Sequence, residues 1–593
     1  MKGNRKISRT SFVRLLGLFF RNRKNAVLMI VCVAVAGFAA AMGPRMLGNA
    51  TNALTGSSSE GLTFDPDWGV FYRWIWISLI TYLIQFVTKF VSGRLSAVSS
   101  SQVAYELRKE MEEKLWKLPL KYYDDNANGD ILSRFSNDID NVVTSLNQTG
   151  SDSVFYIIQL LVTIFMMFTI SPALALITFV VLPLSLAAVY RINLKMKPAL
   201  DKQMEYTGII NADVDESING HTVIKSYGLE EGFFDEFEEK NKELYDTSCR
   251  AMKFSNMIQP LSRMITNMNF CIAAGFGAIK VITGQMDLGD LQAFIQYVRR
   301  YQTPFSMLAQ SYATLQTAIA SLDRIYDFLE AEEEIPDKET AEDEYMMKGK
   351  LEFKDVAFSY LPDQKLIENM NLSVEPGQMV AIVGGTGAGK TTLVNLIERF
   401  YEIGSGSIMI DGKHEIHDIT RSALRKNIAM VLQDTWVYKG SIRENLLYGA
   451  GDAEVSQKEF EDACAATFVD TFVSKLPEGY DTVIQNEFCC LSAGEKQLLT
   501  ICRAFLSKPN ILILDEATSS VDTRTEVMIQ SALDALRQGR TSFVIAHRLS
   551  TIRNADVILV MEKGHIVEQG SHDELLKQNG QYAALYRAAY SGA

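Results

Sequence analysis

Long apolar runs in the first half of the chain constrain its fold more than any other feature. Two of them are NAVLMIVCVAVAGFAAAMG at 25–43 and VFYIIQLLVTIFMMFTI at 154–170. Each approaches the roughly 20 consecutive apolar residues that a helix needs to cross a bilayer. The second half has the lower, periodic hydrophobicity of a soluble α/β domain. The 593 residues are therefore expected to form more than one kind of domain.

The hydropathy pattern predicts six membrane spans. They cover approximately residues 26–48, 69–92, 153–170, 173–190, 262–283 and 289–310. The flank of the first span carries Arg14, Arg21, Arg23 and Lys24, whereas the predicted outer loops SSSEGLTFDPDWG and GQMDLGD contain acids and no Lys or Arg. The positive-inside rule therefore predicts that both termini lie in the cytoplasm. We expect a multi-pass protein of the plasma membrane.

Two long cytoplasmic connections are predicted to be helical. A helix of about 25 residues reaches about 38 Å, so each connection is expected to project beyond the lipid headgroups. Each contains helix-breaking or capping residues, in YYDDNANGDILSRFSNDID and in VDESINGHTVIKSYG. Such turns are suited to docking onto another domain, and an ordinary solvated loop is the alternative.

Charge and cysteine usage exclude some classes of function. The net charge of −13 argues against nucleic acid as a partner, because phosphate backbones require clustered Lys and Arg. The seven cysteines show neither metal-ligand spacing nor a secreted disulfide pattern, which favours reduced thiols. The acidic segment EAEEEIPDKETAEDEY at 330–345 is predicted to be a solvated linker.

Three regions follow from these patterns. Residues 1–325 are predicted to form a membrane domain of six transmembrane helices with long cytoplasmic extensions, and 326–349 an acidic linker. Residues 350–593 begin with LEFKDVAFSY, which alternates as a strand does, and continue with a βαβ pattern. They are expected to form an α/β domain.

The motif AIVGGTGAGKTTL is the clearest chemical signal. It matches G-x-x-x-x-G-K-[S/T] between an apolar strand and an amphipathic helix. The predicted phosphate contacts are Gly384, Gly385, Thr386, Gly387, Ala388, Gly389, Lys390, Thr391 and Thr392. Backbone N–H groups and the helix N-terminus favour the anion, Lys390 reaches the β- and γ-phosphates, and Thr391 ligates Mg²⁺. The α/β domain is therefore predicted to be a P-loop nucleotide-binding domain that uses ATP.

A second apolar strand, 511–514, ends in Asp515 and Glu516. A carboxylate at a strand end facing a P-loop can hold Mg²⁺ through water, and the next one can orient or polarise the attacking water. The pair predicts ATP hydrolysis, with Asp515 at the metal and Glu516 at the water.

In the order of its motifs the chain resembles a half-transporter of the ATP-binding cassette (ABC) exporter family, with six spans followed by one cassette. The resemblance extends over nearly the whole chain. It implies that Tyr360 stacks on adenine, Gln433 is the Q-loop residue near Mg²⁺ and the water, Asp522 lies in the D-loop, and His547 is the switch histidine. A strand-edge tyrosine and a core histidine are the alternatives. It also implies that GDILSRFSNDID and NGHTVIKSYG are coupling segments.

The family's LSGGQ signature, which caps the γ-phosphate held by the opposite cassette, is altered here. The chain has Leu491, Ser492, Ala493, Gly494 and Glu495. The resemblance implies that Ser492 and Gly494 keep the nucleotide contact. Ala493 adds a methyl group where backbone approaches closely, and Glu495 adds an acid near phosphate. Harmless variation at a tolerant position is the alternative to a degraded site.

An altered signature beside an intact Glu516 favours a heterodimer with one competent and one degenerate ATP site. The expected partner is a second, non-identical half-transporter with an intact LSGGQ and a degraded catalytic base. The family implies ATP-driven export of hydrophobic or amphipathic small molecules, drugs or lipids, by a protein surrounded by membrane lipid. A homodimeric exporter is one alternative, and a nucleotide-gated regulatory subunit without productive transport is another.

Two arginines, Arg299 and Arg300, lie inside the sixth predicted span in FIQYVRRYQTPF. A charge that faces lipid is costly, so both are expected to face a water-filled cavity. A place in the translocation path, an ion pair with an acid elsewhere and a position near the membrane interface are the three possibilities. Pro304 is expected to kink the helix there.

Overall fold

The structure is a computed structural model that describes residues 9–58, 61–64, 66–361, 364–433, 435–451, 453–485, 491–515, 522–546 and 549–590. The chain divides into two compact units. The first comprises Met1–Trp116 and Ala127–Ala331, and the second comprises Lys117–Asn126 and Glu332–Ala593. A short piece of the region predicted as membrane domain therefore belongs to the second unit.

The described residues up to 331 are almost entirely helical. Its helices are α1 Arg9–Phe19, α2 Arg23–Asn52, α3 Trp68–Leu115, α4 Leu120–Asp125, α5 Asn128–Ser133, α6 Ile139–Ile170, α7 Pro172–Asn219, α8 His221–Tyr227, α9 Glu230–Ile282, α10 Leu288–Arg300 and α11 Gln302–Leu329. A π-helical turn, Arg134–Asp138, joins α5 to α6. Two short strands, β1 Thr55–Ser58 and β2 Gly61–Phe64, form an antiparallel hairpin. All of these elements except α4 belong to the first unit.

The predicted spans fall on helices. The first four lie wholly within α2, α3, α6 and α7, and the fifth lies in α9 up to its last residue, Ile282. Among the described residues, four helical segments are long and apolar enough to cross a membrane by length and composition. They are Arg23–Asn52, Trp68–Leu115, Asn128–Ile170 and Glu230–Ile282.

The sixth predicted span is interrupted at Tyr301, between α10 and α11. Pro304 has no N–H, so the carbonyl of Arg300 loses its helical hydrogen-bond donor, and the proline ring crowds that carbonyl. The irregularity that the sequence predicts at Pro304 is therefore present, and it begins immediately after Arg300.

The two connections that the sequence assigns to the cytoplasm are helical, as predicted. Helices α3, α7 and α9 contain 48, 48 and 53 residues. At 1.5 Å per residue each is about 70–80 Å long, more than twice the roughly 30 Å of a bilayer core. The second connection turns at α8, which ends at Gly228 with a φ of 64°, a conformation that glycine adopts without strain.

The second unit contains most of the strands and the remaining helices. Its strands are β3 Leu351–Phe358, β4 Ile367–Val374, β5 Met379–Gly384, β6 Ser405–Ile410, β7 His414–Glu415, β8 Ile428–Val431, β9 Gly440–Ser441, β10 Val483–Ile484, β11 Ile511–Asp515, β12 Thr541–Ile545, β13 Val557–Glu562 and β14 His565–Gly570. Its helices after α4 are α12 Lys390–Ile397, α13 Arg421–Lys426, α14 Ile442–Leu447, α15 Gln457–Ala466, α16 Val469–Val473, α17 Ala493–Leu506, α18 Thr523–Arg537, α19 Leu549–Arg553, α20 His572–Gln578 and α21 Gln581–Tyr590.

The main sheet of the second unit has the strand order β14-β13-β5-β12-β11-β8. All neighbouring strands in it are parallel except β13 and β14. Strands β11 and β12 are almost completely buried, as expected for parallel strands covered on both faces. A second, antiparallel sheet has the order β4-β3-β6-β7. The parallel arrangement places the carboxyl ends of β5, β12, β11 and β8 at one edge.

The segment 330–345, which the sequence predicts to be a solvated linker, is largely exposed, but its central part is anchored through Asp337. Asp337 pairs with Arg399 at 2.9 Å and with Arg421 at 2.8 Å. Both arginine side chains are less than 10% exposed, and Glu402 pairs with each of them. The sequence did not indicate this anchoring because the positive partners lie more than 60 residues away along the chain.

Candidate functional site

The predicted cassette motifs meet at the carboxyl edge of the parallel sheet. The P-loop follows β5 and leads into α12, Asp515 is the last residue of β11, and Gln433 lies two residues after β8. Ligands of open α/β sheets bind outside the carboxyl ends of the strands. The fold therefore brings the predicted phosphate-binding residues and the predicted metal ligands to one edge of the sheet.

The P-loop has the backbone conformation that its glycines allow. Gly387 and Gly389 have φ values of 79° and 96°, which side chains rarely permit. A Cβ on Gly384 would lie 2.3 Å from the carbonyl oxygen of Met561, so only glycine fits between β5 and β13. Helix α12 begins at Lys390, immediately after this loop. The loop and the helix N-terminus form a cradle suited to an anion.

The Lys390 side chain folds over the loop. Its Nζ donates hydrogen bonds to the carbonyl oxygens of Gly384 at 2.7 Å and Gly385 at 3.1 Å. Burial lowers the pKa of Lys390, and the charge of Asp515 acts in the opposite direction. The charge of Asp515, on the next strand but one, therefore acts on the charge of Lys390. A site that binds phosphate and metal together requires this electrostatic relationship.

The remaining P-loop residues divide by exposure. Gly385, Thr386, Gly387 and Thr391 are exposed, whereas Ala388, Gly389 and Thr392 are buried. The exposed hydroxyl of Thr391 and the carboxylate of Asp515 are oxygen donors of the kind that Mg²⁺ prefers. These residues therefore fit a nucleotide phosphate and Mg²⁺.

Tyr360 lies beside the P-loop helix. Its hydroxyl donates to Thr392 Oγ1 at 3.2 Å, and its ring contacts Phe358 and Tyr401 edge-to-face at 4.9 Å each. The tyrosine is only partly buried. It is therefore fixed against α12 and remains partly exposed.

The structure describes Gln433 but neither Glu516 nor His547. Gln433 is exposed. Glu516 and His547 lie outside the described residues, so their catalytic roles rest on the sequence. The cysteines at 489 and 490 also lie outside them.

Asp522 caps a helix. Its carboxylate accepts hydrogen bonds from the N–H groups of Arg524 at 3.2 Å and Thr525 at 3.1 Å at the start of α18. Hydrogen bonding by Thr525 and the backbone lowers the pKa of Asp522. Asp522, which the resemblance places in the D-loop, is therefore also the N-cap of α18, a role that the sequence analysis did not identify.

The altered signature forms the first turn of α17. Ser492 is the N-cap and is exposed, and Gly494 is buried. The carboxylate of Glu495 accepts hydrogen bonds from the N–H and hydroxyl of Ser492 at 2.8 and 2.9 Å. The acid is therefore turned back onto its own helix, which differs from the expectation that its charge is directed at phosphate.

In the first of the two long connections, the segment that belongs to the second unit is not the coupling segment that the resemblance implied. Residues 128–138, which contain most of GDILSRFSNDID, belong to the first unit, whereas Lys117–Asn126 belongs to the second. Asp124 hydrogen-bonds the hydroxyl of Tyr401, and the N–H of Glu334 donates to the carbonyl of Lys117 at 2.8 Å. Burial and the hydrogen bond with Asp124 raise the pKa of Tyr401. Tyr401 therefore joins this segment to Tyr360 and the nucleotide edge.

The two arginines of the predicted sixth span, Arg299 and Arg300, differ in their position relative to a cavity. Arg299 lines a cavity of about 720 Å³, and Arg300 does not. Among the described residues, no carboxylate lies within 4.0 Å of either guanidinium, which argues against the ion-pair possibility. Arg263 lines the same cavity. The sequence prediction missed it, although a charge in an apolar span was a usable signal.

The fold and the P-loop edge define a nucleotide-binding cassette joined to a helical membrane domain. The ABC transporter transmembrane region family matches residues 26–305, and the ABC transporter family matches residues 367–519. The chain belongs to the ABC transporter family. The match confirms the predicted fold class and the prediction of an ATPase coupled to transmembrane transport, here of the exporter type.

Named relatives agree with this assignment. A fatty acid ABC transporter ATP-binding/permease protein of Mycobacterium tuberculosis is 45% identical over 533 residues, covering 89% of this chain and 84% of the relative. An ATP-dependent lipid A-core flippase of Syntrophus aciditrophicus is 32% identical over 584 residues, covering 98% and 94%. The solved structure of a bacterial Atm1-family ABC exporter with ATP bound matches with a TM-score of 0.72 and 25% identity, covering 96% of this chain and 98% of that one.

Proposed function

We propose that this chain is one half of a dimeric exporter that uses ATP hydrolysis to move hydrophobic or amphipathic small molecules, drugs or lipids, across the plasma membrane. The observation that carries the proposal is the position of Lys390 over a P-loop at the same sheet edge as Asp515, in a chain with membrane-spanning helices. The names of the mycobacterial fatty acid transporter and the lipid A-core flippase support a lipid-like substrate.

In the proposed site, the P-loop backbone and Lys390 bind the phosphates, and Tyr360 contacts adenine. Ser492 and Gly494 cap the nucleotide held by the other subunit, and Asp522 lies at the same boundary. These assignments rest on the motifs, and the conformations of the P-loop and of Tyr360 are compatible with them.

Thr391, Gln433 and Asp515 are proposed to supply the ligands of Mg²⁺, which would neutralise charge on the phosphates when bound. Glu516 orients the attacking water, Gln433 contacts the same water, and His547 acts near the γ-phosphate. The exposed position of Gln433 leaves it accessible to nucleotide.

Both termini and the cassette are proposed to lie in the cytoplasm. The basic flank Arg21–Lys24 supports this orientation by the positive-inside rule. Reaction of engineered cysteines with a membrane-impermeant reagent in intact cells tests it. A cysteine at 285, in the predicted outer loop, should react, and a cysteine at 413 in the cassette should not.

The partner is proposed to be a non-identical half-transporter. The support is the altered signature, in which Ala493 adds a methyl group beside the nucleotide contact. Because Glu495 is turned onto α17, its charge contributes less to this argument than the sequence alone suggests. Purification of the chain alone as a stable dimer with full, substrate-stimulated ATPase activity would favour a homodimer instead.

ATPase activity of the purified assembly in lipid tests the transport function. We expect vanadate-sensitive hydrolysis that drug or lipid substrates stimulate, together with ATP-dependent uptake into inside-out vesicles. Nucleotide binding without hydrolysis or uptake would show a nucleotide-gated regulatory subunit.

A further inference from the structure

The first unit, called the membrane unit because it contains the predicted membrane spans, has a polar cavity between α9 and the α10–α11 segment. Its volume is about 720 Å³, and its lining includes Arg263, Asn267, Arg299 and Gln302. Arg263 belongs to the predicted fifth span and Arg299 to the sixth. Two positive charges therefore line one cavity at positions that the sequence assigns to the membrane.

The packing of α10 directs Arg299 into this cavity. Phe294, Tyr297 and Val298 on the same helix are fully buried, whereas Arg299 is exposed. The guanidinium carbon of Arg299 lies 4.4 Å from the centre of the Phe270 ring, a cation–π contact that holds the side chain without neutralising it. The charge remains available to a ligand.

Among the described residues, neither cavity arginine has an acidic partner. In the part of the chain that the structure describes, no carboxylate lies within 4.0 Å of Arg263 or Arg299. The other residues lining the cavity are neutral. Positive charge within a membrane span is costly unless an anion or water compensates it, and a guanidinium binds carboxylate or phosphate through paired hydrogen bonds. The cavity is therefore suited to an anionic group.

A second cavity of about 610 Å³ adjoins the first along α9 and shares Arg263 and Asn267 with it. Its lining is mainly apolar and includes Met264, Met268 and Ile272. Methionine side chains are flexible and adapt to irregular apolar ligands. A charged cavity and an apolar one thus lie side by side on the same helix.

We propose that this membrane unit binds an amphiphile with an anionic headgroup, carboxylate or phosphate, between Arg263 and Arg299, with its hydrocarbon chain along Met264 and Met268. The proposal rests on the proposed export function and narrows its substrate class. In this proposal Arg263 and Arg299 recognise the headgroup, and Arg300 takes no part in binding.

Binding can be measured without hydrolysis. The full-length chain, in its purified assembly, is placed in phosphatidylcholine nanodiscs and titrated with radiolabelled palmitate. Unlabelled palmitate, lysophosphatidate, hexadecanol and hexadecyltrimethylammonium are the competitors. We expect palmitate or lysophosphatidate to compete at least about tenfold better than hexadecanol, because each charge-assisted hydrogen bond contributes about that factor. The better of the two anions identifies the headgroup as carboxylate or phosphate.

Arginine variants identify the site. Arg299→Gln and Arg263→Gln should each weaken anion binding about tenfold, and Arg299→Lys should retain part of it. Arg300→Gln is the matched control in the same span and should leave anion affinity unchanged. Because the single variants are tested separately, loss of folding in one does not remove the test.

Two results would overturn the headgroup proposal. One is equal competition by the anionic, neutral and cationic amphiphiles, and the other is unchanged palmitate affinity in both Arg263→Gln and Arg299→Gln. A protein that binds anionic amphiphiles through these arginines but hydrolyses no ATP would retain the headgroup site and refute the export function. The two proposals therefore fail separately.

Discussion

The carboxylate of Glu495 accepts two hydrogen bonds from Ser492, one from its N–H at 2.8 Å and one from its hydroxyl at 2.9 Å. In return, the N–H of Glu495 donates to the Ser492 hydroxyl at 3.3 Å. This reciprocal cap satisfies N–H groups at the start of α17 and places a negative charge at the positive end of the helix. The residue that departs from the family signature therefore stabilises the local fold.

Replacement of Glu495 should show how much the cap contributes to stability, separately from any effect on nucleotide binding. Glu495→Ala should destabilise the unit by about 1 kcal/mol, because the cap is lost. Glu495→Gln can still form the cap and is the matched control, with a smaller loss. Thermal unfolding of the purified full-length chain measures both. Equal stability of the parent and the Ala variant would contradict the capping role.

Restoration of the family signature tests the proposed asymmetry. Ala493→Gly together with Glu495→Gln should raise ATP turnover of the assembly only modestly, because the partner's degraded base would still limit that site. Steady-state phosphate release measures this. A large rise in turnover would show that the signature itself limits hydrolysis and would count against a degraded base on the partner.

Glu516→Gln should slow hydrolysis by a factor of roughly 10²–10⁴ while ATP binding persists, because water orientation is lost and the P-loop is unchanged. Phosphate release and binding of labelled ATP measure the two steps. Lys390→Ala is the contrasting variant, since it should weaken binding itself. Hydrolysis at the parental rate in Glu516→Gln would show that the base has been assigned wrongly.

Asp337→Ala should destabilise the second unit by about 2–4 kcal/mol. The substitution removes a shared acid from Arg399 and Arg421, whose side chains are 4% and 9% exposed. Lys338→Ala is the neighbouring control, because its pair with Asp418 is exposed and should contribute little to stability. Chemical denaturation of the full chain compares the two. Equal effects would show that the segment is not anchored through Asp337.

Stability should depend on pH through Glu398. Burial raises its pKa to about 7, and Arg425 acts in the opposite direction. Because the pKa is raised in the folded state, the carboxyl group makes its full contribution to the free energy of unfolding below the unfolded pKa near 4.5. This contribution is lost as the pH rises through about 7.

Glu398→Gln should therefore be more stable than the parent at pH 8 by about 1–3 kcal/mol, and the difference should shrink towards pH 5. Denaturant unfolding at several pH values measures this difference. Glu461→Gln, on the exposed surface of α15, is the control substitution of the same kind. A Glu398→Gln difference that is independent of pH would contradict the raised pKa.

The fold class and the nucleotide edge could be predicted from the sequence because their signals are local. Apolar runs of bilayer length, the P-loop glycines and the acids ending an apolar strand each need only a few consecutive residues. Pro304 marked the helix irregularity for the same reason, since a missing N–H acts on the residue four positions earlier.

Tertiary structure decided which distant residues meet. It paired Asp337 with Arg421, 84 residues apart, and so converted a predicted solvated linker into an anchored one. It also brought Arg263 and Arg299 to one cavity and excluded Arg300, although the last two are neighbours in sequence. The physical reason is that ion pairing and cavity lining depend on the packed positions of whole helices and strands, which no local pattern of side chains specifies.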